Sequence, residues 1–275
     1  MKYALRLSYL GKNYCGWQRQ SRDPDKKPLL PSLQEIVEAA VSSMADQEIS
    51  VVASGRTDAG VNATAQIAHF WCNNQNLSAA IFYRGLNSLL PIDIRVMEVR
   101  EVADSFHAQQ SAIKKQYSYY FQQGPCTLPQ FMDSSVWIAR TLNVEAMHEA
   151  LQALLGEHDF KSFQATGSKP DLSSIRTLFE AEVRRLPMPD FPGQDLTERG
   201  FSMVRVRLVG SGFLKQMVRG IAGTLLQIGE NRRNAAEMNE ILASKNRALV
   251  GPTAPAKGLT LERVWYKPDL YGNSN

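Results

Sequence analysis

Cysteine is scarce in this sequence and long apolar runs are absent, and each shortage excludes a class of protein. The 275 residues hold three cysteines, and no two of Cys15, Cys72 and Cys126 stand at metal-ligand spacing. An odd, widely spaced set of thiols argues against a disulfide framework, so we expect reduced thiols in the cytoplasm. No run reaches the roughly 18 apolar residues of a membrane span, and the first residues carry charges that a signal peptide's apolar segment lacks. We therefore expect a cytoplasmic protein without a membrane partner.

Neither sign of charge is in large excess. The 31 lysines and arginines oppose 27 acidic residues, which leaves a net charge of +4. That balance permits a polyanionic partner without requiring one. The four histidines show no metal-ligand spacing with each other or with the cysteines, and each is more often structural: His69, His107, His148 and His158. We predict no metal site.

Hydrophobic periodicity predicts alternating strands and helices in the first half of the chain. Apolar residues alternate over residues 3–9, and Ser32 with Glu35 forms a capping box before a helical repeat. Ser78 is the expected cap of a second helix that Pro91 ends. Three further strands are predicted, over residues 49–53, 65–72 and 94–102. The predicted order is βαββαβ.

The same order is predicted to recur in the second half. The expected elements are a strand at 117–121, a helix capped by Asn143, strands at 175–183 and 204–208, a helix from residue 214 that ends at Gly229, a short helix capped by Asn234 and a strand at 261–266. In the 175–183 strand, alternation places five residues on one face: Ile175, Thr177, Phe179, Ala181 and Val183. We therefore predict an α+β fold of two ferredoxin-like βαββαβ halves, which form an extended, mostly antiparallel sheet with helices on one face. The predicted domains are residues 1–105 and 106–275.

The loop Gly55-Arg56-Thr57-Asp58-Ala59-Gly60-Val61-Asn62 is the first candidate site. It is not a P-loop, because Val61 and Asn62 stand where the phosphate-binding Lys and Ser/Thr belong. One remaining interpretation is a hairpin loop whose Asp58 binds nearby backbone N–H groups. The other is a carboxylate that Arg56 keeps ionised and that acts as nucleophile or base. These eight residues alone favour the structural interpretation.

The second candidate region is basic. Residues 199–233 contain seven lysines and arginines, opposed only by Glu230. Arg205 and Arg207 share one strand face, and Lys215 and Arg219 lie one helical turn apart. A solvated face and a phosphate-binding surface both remain open.

Aromatic and basic residues are interleaved in two further places, a mixture that suits stacking on bases and pairing with phosphates. The first is a glycine-bearing loop and the second opens a strand: Lys12, Tyr14, Trp17 and Arg19, and then Lys114, Lys115 and Tyr117. The alternative is that Trp17 folds its loop over the core and that Tyr117 is an ordinary packing residue.

Taken together, these segments resemble the TruA family of tRNA pseudouridine synthases, from residue 3 to about residue 266. Residues 55–61 look like that family's catalytic loop, and six further segments are similar, at 14–20, 105–108, 117–119, 159–163, 213–219 and 254–259. The resemblance implies the pseudouridine synthase fold, a homodimer and no cofactor. It also implies that the substrate is tRNA, in which uridine becomes pseudouridine at positions 38, 39 and 40 of the anticodon stem-loop.

The resemblance also implies roles for single residues. Asp58 is the catalytic carboxylate, Arg56 and Arg219 are basic groups near the site, and Tyr117 lies against the target uracil. The sequence departs from the family pattern at Asn62, Gln109 and Gln110, and residues 22–31 look like an insertion. Asn62, Gln109 and Gln110 are candidates for the RNA path, so the choice of uridine stays open.

Two other functions deserve weighing. An RNA-binding module without chemistry would carry an aromatic-basic RNP pattern on a strand, and that pattern is absent. A glycoside hydrolase generally uses paired carboxylates, and no second carboxylate stands out near Asp58 in the sequence.

Overall fold

Each element of the predicted N-terminal βαββαβ pattern is present. The computed structural model describes residues 1–20, 29–165, 173–188 and 195–271, so residues 22–28 of the expected insertion lie outside the described residues. The elements are β1 (Lys2–Tyr9), α1 (Leu33–Ala45), β2 (Val52–Ala53), β3 (Asn62–Trp71), α2 (Ala79–Leu89) and β4 (Ile94–Val102).

Both helices of this half begin at the predicted caps. The Ser32 hydroxyl accepts from the Glu35 N–H, and the Glu35 carboxylate accepts from the Ser32 N–H at 2.9 Å. Ser78 caps α2, and Leu90 leaves the helix with an extended backbone directly before Pro91. Local sequence therefore fixes where these helices start and where α2 ends.

The strands of the first compact unit are ordered β4-β1-β3, and β2 also pairs with β3. β1 is antiparallel to both β3 and β4. Its predicted inner face is buried, but Lys2 and Ala4 on the other face are buried as well. The Lys2 ammonium donates to the carbonyls of Asp104 and Phe106. The segment after β4 thus covers this end of β1, and simple alternation fails there.

The second half adds short strands to the predicted elements. It contains β5 (Lys114–Gln123), β6 (Val136–Ile138), α3 (Val144–Gln152), β7 (Gly156–Asp159), β8 (Ile175–Leu186), β9 (Ser202–Gly210), α4 (Met217–Gly229) and α5 (Glu237–Ser244), and β10 (Leu259–Trp265) follows. The strand order is β5-β9-β8-β7, and β6 lies parallel to β5. Periodicity could not predict β7, since its four residues include no large apolar side chain.

The predicted apolar face of β8 is buried only from Ala181 onward. Leu178 is buried at 1% exposure, whereas Phe179, which the alternation placed on one face with Ala181 and Val183, is 48% exposed. The pairing with β9 shifts register between Leu178 and Glu180. A bulge of this kind moves the following residues to the opposite face, so Ala181 and Val183 are buried as predicted.

The start of α5 also differs from the prediction. The helix begins at Glu237 with Ala236 at the capping position, and the Asn234 backbone N–H donates to the Glu237 carboxylate. Asn234 therefore lies in the turn before the helix and does not cap it.

The α+β class with a mostly antiparallel sheet is confirmed. The chain divides into two compact units, the first comprising Met1–Lys115 with Leu261–Asn275 and the second Gln116–Thr260. The domain boundary between residues 105 and 106 stays a prediction. Across the described residues, no helix has the length and apolar character needed to cross a membrane.

Candidate active site

The loop that carries Asp58 is tied to the segment after β1. The Trp17 N–H donates to the Thr57 carbonyl at 3.0 Å, and Gly16 forms an isolated antiparallel bridge with Asp58. Gly16 has a φ of +104°, and a Cβ there would lie 2.7 Å from the Thr57 carbonyl oxygen. A glycine is required at this crossing because both the backbone conformation and the close approach exclude a side chain. Asp58 itself is half-buried.

Of the predicted side chains near this loop, some are exposed to solvent and one is buried. Arg56 is exposed, as is Lys12. Asn62, one of the departures from the family pattern, is 3% exposed, and its amide oxygen accepts from the Gly11 N–H at 2.8 Å. Asn62 therefore holds the loop to the β1 segment from inside. Gln109 and Gln110 are exposed, and their backbone N–H groups donate to the His107 ring.

The aromatic residues of the glycine-bearing loop face inward. Trp17 is 2% exposed, and the Tyr14 hydroxyl donates to the Asp93 carboxylate at 2.6 Å. Arg19 forms an ion pair of 2.7 Å with Glu38. These contacts agree with the alternative in which Trp17 folds the loop over the core. The predicted RNA-binding roles of Tyr14, Trp17 and Arg19 stay predictions.

Beneath the loop lies a polar network that our sequence reasoning missed. Gln66 of β3 binds both Ser54 and the Gly55 carbonyl, and the Tyr9 and Thr57 hydroxyls share a hydrogen bond of 2.9 Å. Gln66 is completely buried. A glutamine between the apolar residues of a predicted inner strand was the available signal.

Lys114 and Lys115 have different surroundings. The Lys114 ammonium lies 4.6 Å from the centre of the Trp265 ring, with the Arg263 guanidinium at 4.9 Å. The Lys115 ammonium donates to the Ser54 carbonyl, next to Gly55. Burial lowers the pKa of Lys115 to about 8, since the charged form loses hydration.

In the second unit, Tyr117 and Arg219 are held by separate contacts. The Tyr117 ring packs edge-on against Phe213 at 5.1 Å and is 8% exposed. Arg219 lies in the first turn of α4, and its Nε donates to the Ala254 carbonyl at 2.8 Å. The Ala254 N–H donates back to the Arg219 carbonyl, so the segment before β10 fixes the stem of this arginine. Tyr119 is anchored to the same segment by a 2.7 Å bond to the Pro255 carbonyl.

The arginines of β9 are paired with acidic residues of β8. Arg205 contacts Glu182 at 3.0 Å, and Arg207 contacts Glu180 at 2.8 Å. Lys215 is exposed. The pairing shows that the charges of residues 199–233 do not add up to one unopposed basic surface. The phosphate-binding roles of Arg205, Arg207 and Lys215 stay predictions.

The histidines were predicted to be structural, and His69 illustrates this. Its Nδ1 accepts from the Ala108 N–H at 3.1 Å, and its ring packs at a tilt of 60° against the His107 ring, with 4.9 Å between the ring centres. Burial, with the charges of Lys2 and His107, lowers the pKa of His69 to about 4, so the ring is neutral at pH 7. Among the described ranges, no group of three His, Cys, Asp or Glu side chains is placed to hold a metal ion.

Comparison with known proteins adds the family. The sequence model of the family described as tRNA pseudouridine synthase matches residues 7–109 and 150–267, which is most of the chain. A tRNA pseudouridine synthase A of Francisella tularensis (strain FSC 198) is 36% identical over 96% of this chain and 93% of its own. The protein of that name from Chloroflexus aurantiacus is 37% identical over 97% of this chain and 89% of its own.

Similarity to solved structures is weaker. A chain of a Cbf5-Nop10-Gar1 complex is 12% identical, with a TM-score of 0.33, over 94% of this chain and 58% of that chain. A likeness at that level supports no inference about this protein. The family match and the sequence relatives are decisive by themselves. The chain belongs to the TruA family of tRNA pseudouridine synthases and is an isomerase that acts on tRNA.

Proposed function

We propose that this enzyme converts uridine to pseudouridine at positions 38, 39 and 40 of the tRNA anticodon stem-loop, with Asp58 as nucleophile or base. The three positions are those that membership of the TruA family implies. The observation that carries the role of Asp58 is its place on a loop whose backbone is bonded on both sides. Gly16 and Trp17 contact the loop on one side, and Gln66 binds it from beneath.

The reaction needs one carboxylate and no redox partner. The bond between ribose C1′ and uracil N1 breaks, the uracil turns, and C1′ bonds to C5 instead. The C5 proton is lost and N1 gains one, so atoms and electrons balance without a cofactor. An ionised Asp58 either attacks the sugar or takes its C2′ proton.

Other residues bind the nucleotide and keep the detached base in place. The target base must leave its stack, at a cost of a few kcal/mol. Stacking of the base on Tyr117 and contacts of Arg56 and Arg219 with the RNA backbone offset that cost. Water must be excluded while the base is free of the sugar.

The further RNA contacts that we propose are four lysines: Lys12, Lys114, Lys115 and Lys215. The proposal also includes a homodimer in the cytoplasm and the domain division at residue 105.

A tritium-release assay tests the role of Asp58. Wild-type enzyme should release tritium from tRNA labelled at uracil C5. Asp58→Asn should reduce that release about a thousandfold or more, because the reacting group is lost, while tRNA affinity is retained. Asp46→Asn is the matched control: Asp46 has a φ of +52° at the end of α1, a conformation that asparagine also adopts.

The same assay distinguishes the alternatives. tRNA binding without release by the wild-type protein would indicate a binding module, and free uracil would indicate hydrolysis. Full activity of Asp58→Asn would overturn the assigned role. Mass-spectrometric mapping of pseudouridine in tRNA from cells with and without the gene tests positions 38, 39 and 40, and loss at other positions would contradict the proposed site choice.

A further inference from the structure

Gln66 connects a strand of the core to the loop that carries Asp58. Its Oε1 accepts from the Ser54 hydroxyl at 2.8 Å, and its Nε2 donates to the Gly55 carbonyl at 2.8 Å. The same Nε2 lies 3.5 Å from the Tyr9 hydroxyl. The side chain thus holds the residue at which the loop begins.

Tyr9 extends these contacts to the residue before Asp58. The Tyr9 and Thr57 hydroxyls are 2.9 Å apart, and both side chains are buried. Burial raises the pKa of Tyr9 to about 12, because the charged form loses hydration. Gly55 and Thr57 are therefore bound, directly and through Tyr9, to one amide group.

A buried amide at this position needs a physical reason. Gln66 is completely buried, on a strand where Ile67 and Ala68 pack into the core. Burying an amide costs free energy unless its donors and acceptors are bonded, and an apolar side chain would fill the space without that cost. A satisfied polar network restricts its members to one arrangement. Here the restricted segment is the 55–60 loop.

We propose that Gln66 is a positioning residue for Asp58, which it holds in a reactive orientation through Gly55, Tyr9 and Thr57. This inference rests on the proposed catalytic role of Asp58. The contrasting possibility is that Gln66 only stabilises the fold. A positioning residue changes the rate of the chemical step in correctly folded protein, and a purely structural residue does not.

The experiment compares Gln66→Met with Gln122→Met. Gln122 is also a completely buried glutamine, and it bonds the Cys126 carbonyl and the Leu128 N–H in a segment of the second unit. Both substitutions remove a buried amide and keep an unbranched side chain. We expect Gln66→Met to lower the single-turnover rate of tritium release about 10- to 100-fold, the size of effect expected from a small displacement of a reacting group. The tRNA dissociation constant should stay within about twofold, and Gln122→Met should keep the wild-type rate.

Tyr9→Phe provides a second test, because it deletes one hydroxyl and preserves the ring. It should lower the single-turnover rate, and combining it with Gln66→Met should cost less than the product of the two separate effects, since both act through one network. Circular dichroism and a cooperative thermal transition establish folding. If Gln66→Met does not fold, Tyr9→Phe decides the question alone.

Three results would overturn the inference. The first is a wild-type single-turnover rate in the folded Gln66→Met or, should that variant not fold, in Tyr9→Phe. The second is an equal loss of rate in Gln122→Met. The third is a rise in the tRNA dissociation constant that accounts for the whole loss of activity. Asp58→Asn separates the two proposals. Full activity in Asp58→Asn removes the proposed function, whereas loss there together with a normal rate in Gln66→Met removes only the positioning role.

Discussion

At the scale of single residues, Lys115 shows how the folded chain changes the pKa of a lysine side chain. Its sequence context, beside Lys114 and before an aromatic strand, favours a surface contact with RNA. Its ammonium donates to the Ser54 carbonyl beside Gly55, and burial lowers its pKa to about 8. The protonation of Lys115 therefore depends on the folded state.

That dependence predicts how stability changes with pH. The unfolded chain keeps the Lys115 proton up to a pKa of about 10.4, whereas the folded chain releases it near pH 8. Between these values the unfolded state binds more protons, so the free energy of unfolding rises with pH. The free energy of unfolding of the wild type, minus that of Lys115→Met, should rise between pH 8 and 10, by at most about 1.4 kcal/mol per pH unit.

Urea unfolding at pH 7, 8.5 and 9.5 measures this difference. Lys257→Met, at an exposed position, controls for the loss of a lysine. A difference between wild type and Lys115→Met that stays constant from pH 7 to 9.5 would show that Lys115 is not titrating near pH 8 in the folded protein.

At the scale of elements, helix α4 is shaped by the segment that crosses it. A Cβ on Gly223 would overlap the Pro252 carbonyl oxygen. The Gly251 N–H donates to the Thr224 hydroxyl at 3.0 Å, one residue further along the helix. The segment of residues 250–255 therefore lies against the backbone of α4, and it also holds Arg219 through Ala254.

This close approach predicts opposite effects for two glycines of one helix. Gly223→Ala should lower the free energy of unfolding by about 1–3 kcal/mol, because the backbone of residues 250–255 must move. Gly220→Ala should be neutral or stabilising by up to about 1 kcal/mol, since the nearest atom to a new Cβ lies 3.5 Å away and alanine favours helix. Thermal and urea unfolding measure both variants, and equal effects would contradict the predicted packing.

At the scale of the whole molecule, a net charge of +4 conceals local neutralisation. Arg19, Arg205 and Arg207 are paired with glutamates, whereas Lys215 is exposed. Charges that are already paired release fewer phosphate counterions on binding RNA, because their acidic partners must first be displaced.

The salt dependence of tRNA binding should follow this division. Lys215→Gln should reduce the slope of log K against log salt concentration by about 0.7 to 0.9 for each phosphate that Lys215 neutralises. Arg207→Gln should change the slope less, since Glu180 already opposes its charge. Binding measured from about 50 to 200 mM salt tests the difference, and a larger change for Arg207→Gln would refute it.

Several features that depend only on neighbouring residues could be predicted from the sequence. The Ser32 capping box, the end of α2 before Pro91 and the strand at residues 94–102 all agree with the structure. The glycine-flanked Asp58 loop and the resemblance to the TruA family were also readable, because they are linear patterns. Helix caps and proline act within one turn of the chain, so these features need no distant partner.

Contacts between residues that are far apart in the sequence could not be predicted and became visible in the folded chain. The bulge in β8, the ion pairs of Arg205 and Arg207, and the burial of Lys115 all depend on partners in other elements. Tyr9 and Gln66 are 57 residues apart, and no local pattern joins them. Their contact exists because β1 pairs with β3, with a register shift between Leu7 and Tyr9. Pairing between distant strands is a property of the packed chain rather than of any short segment.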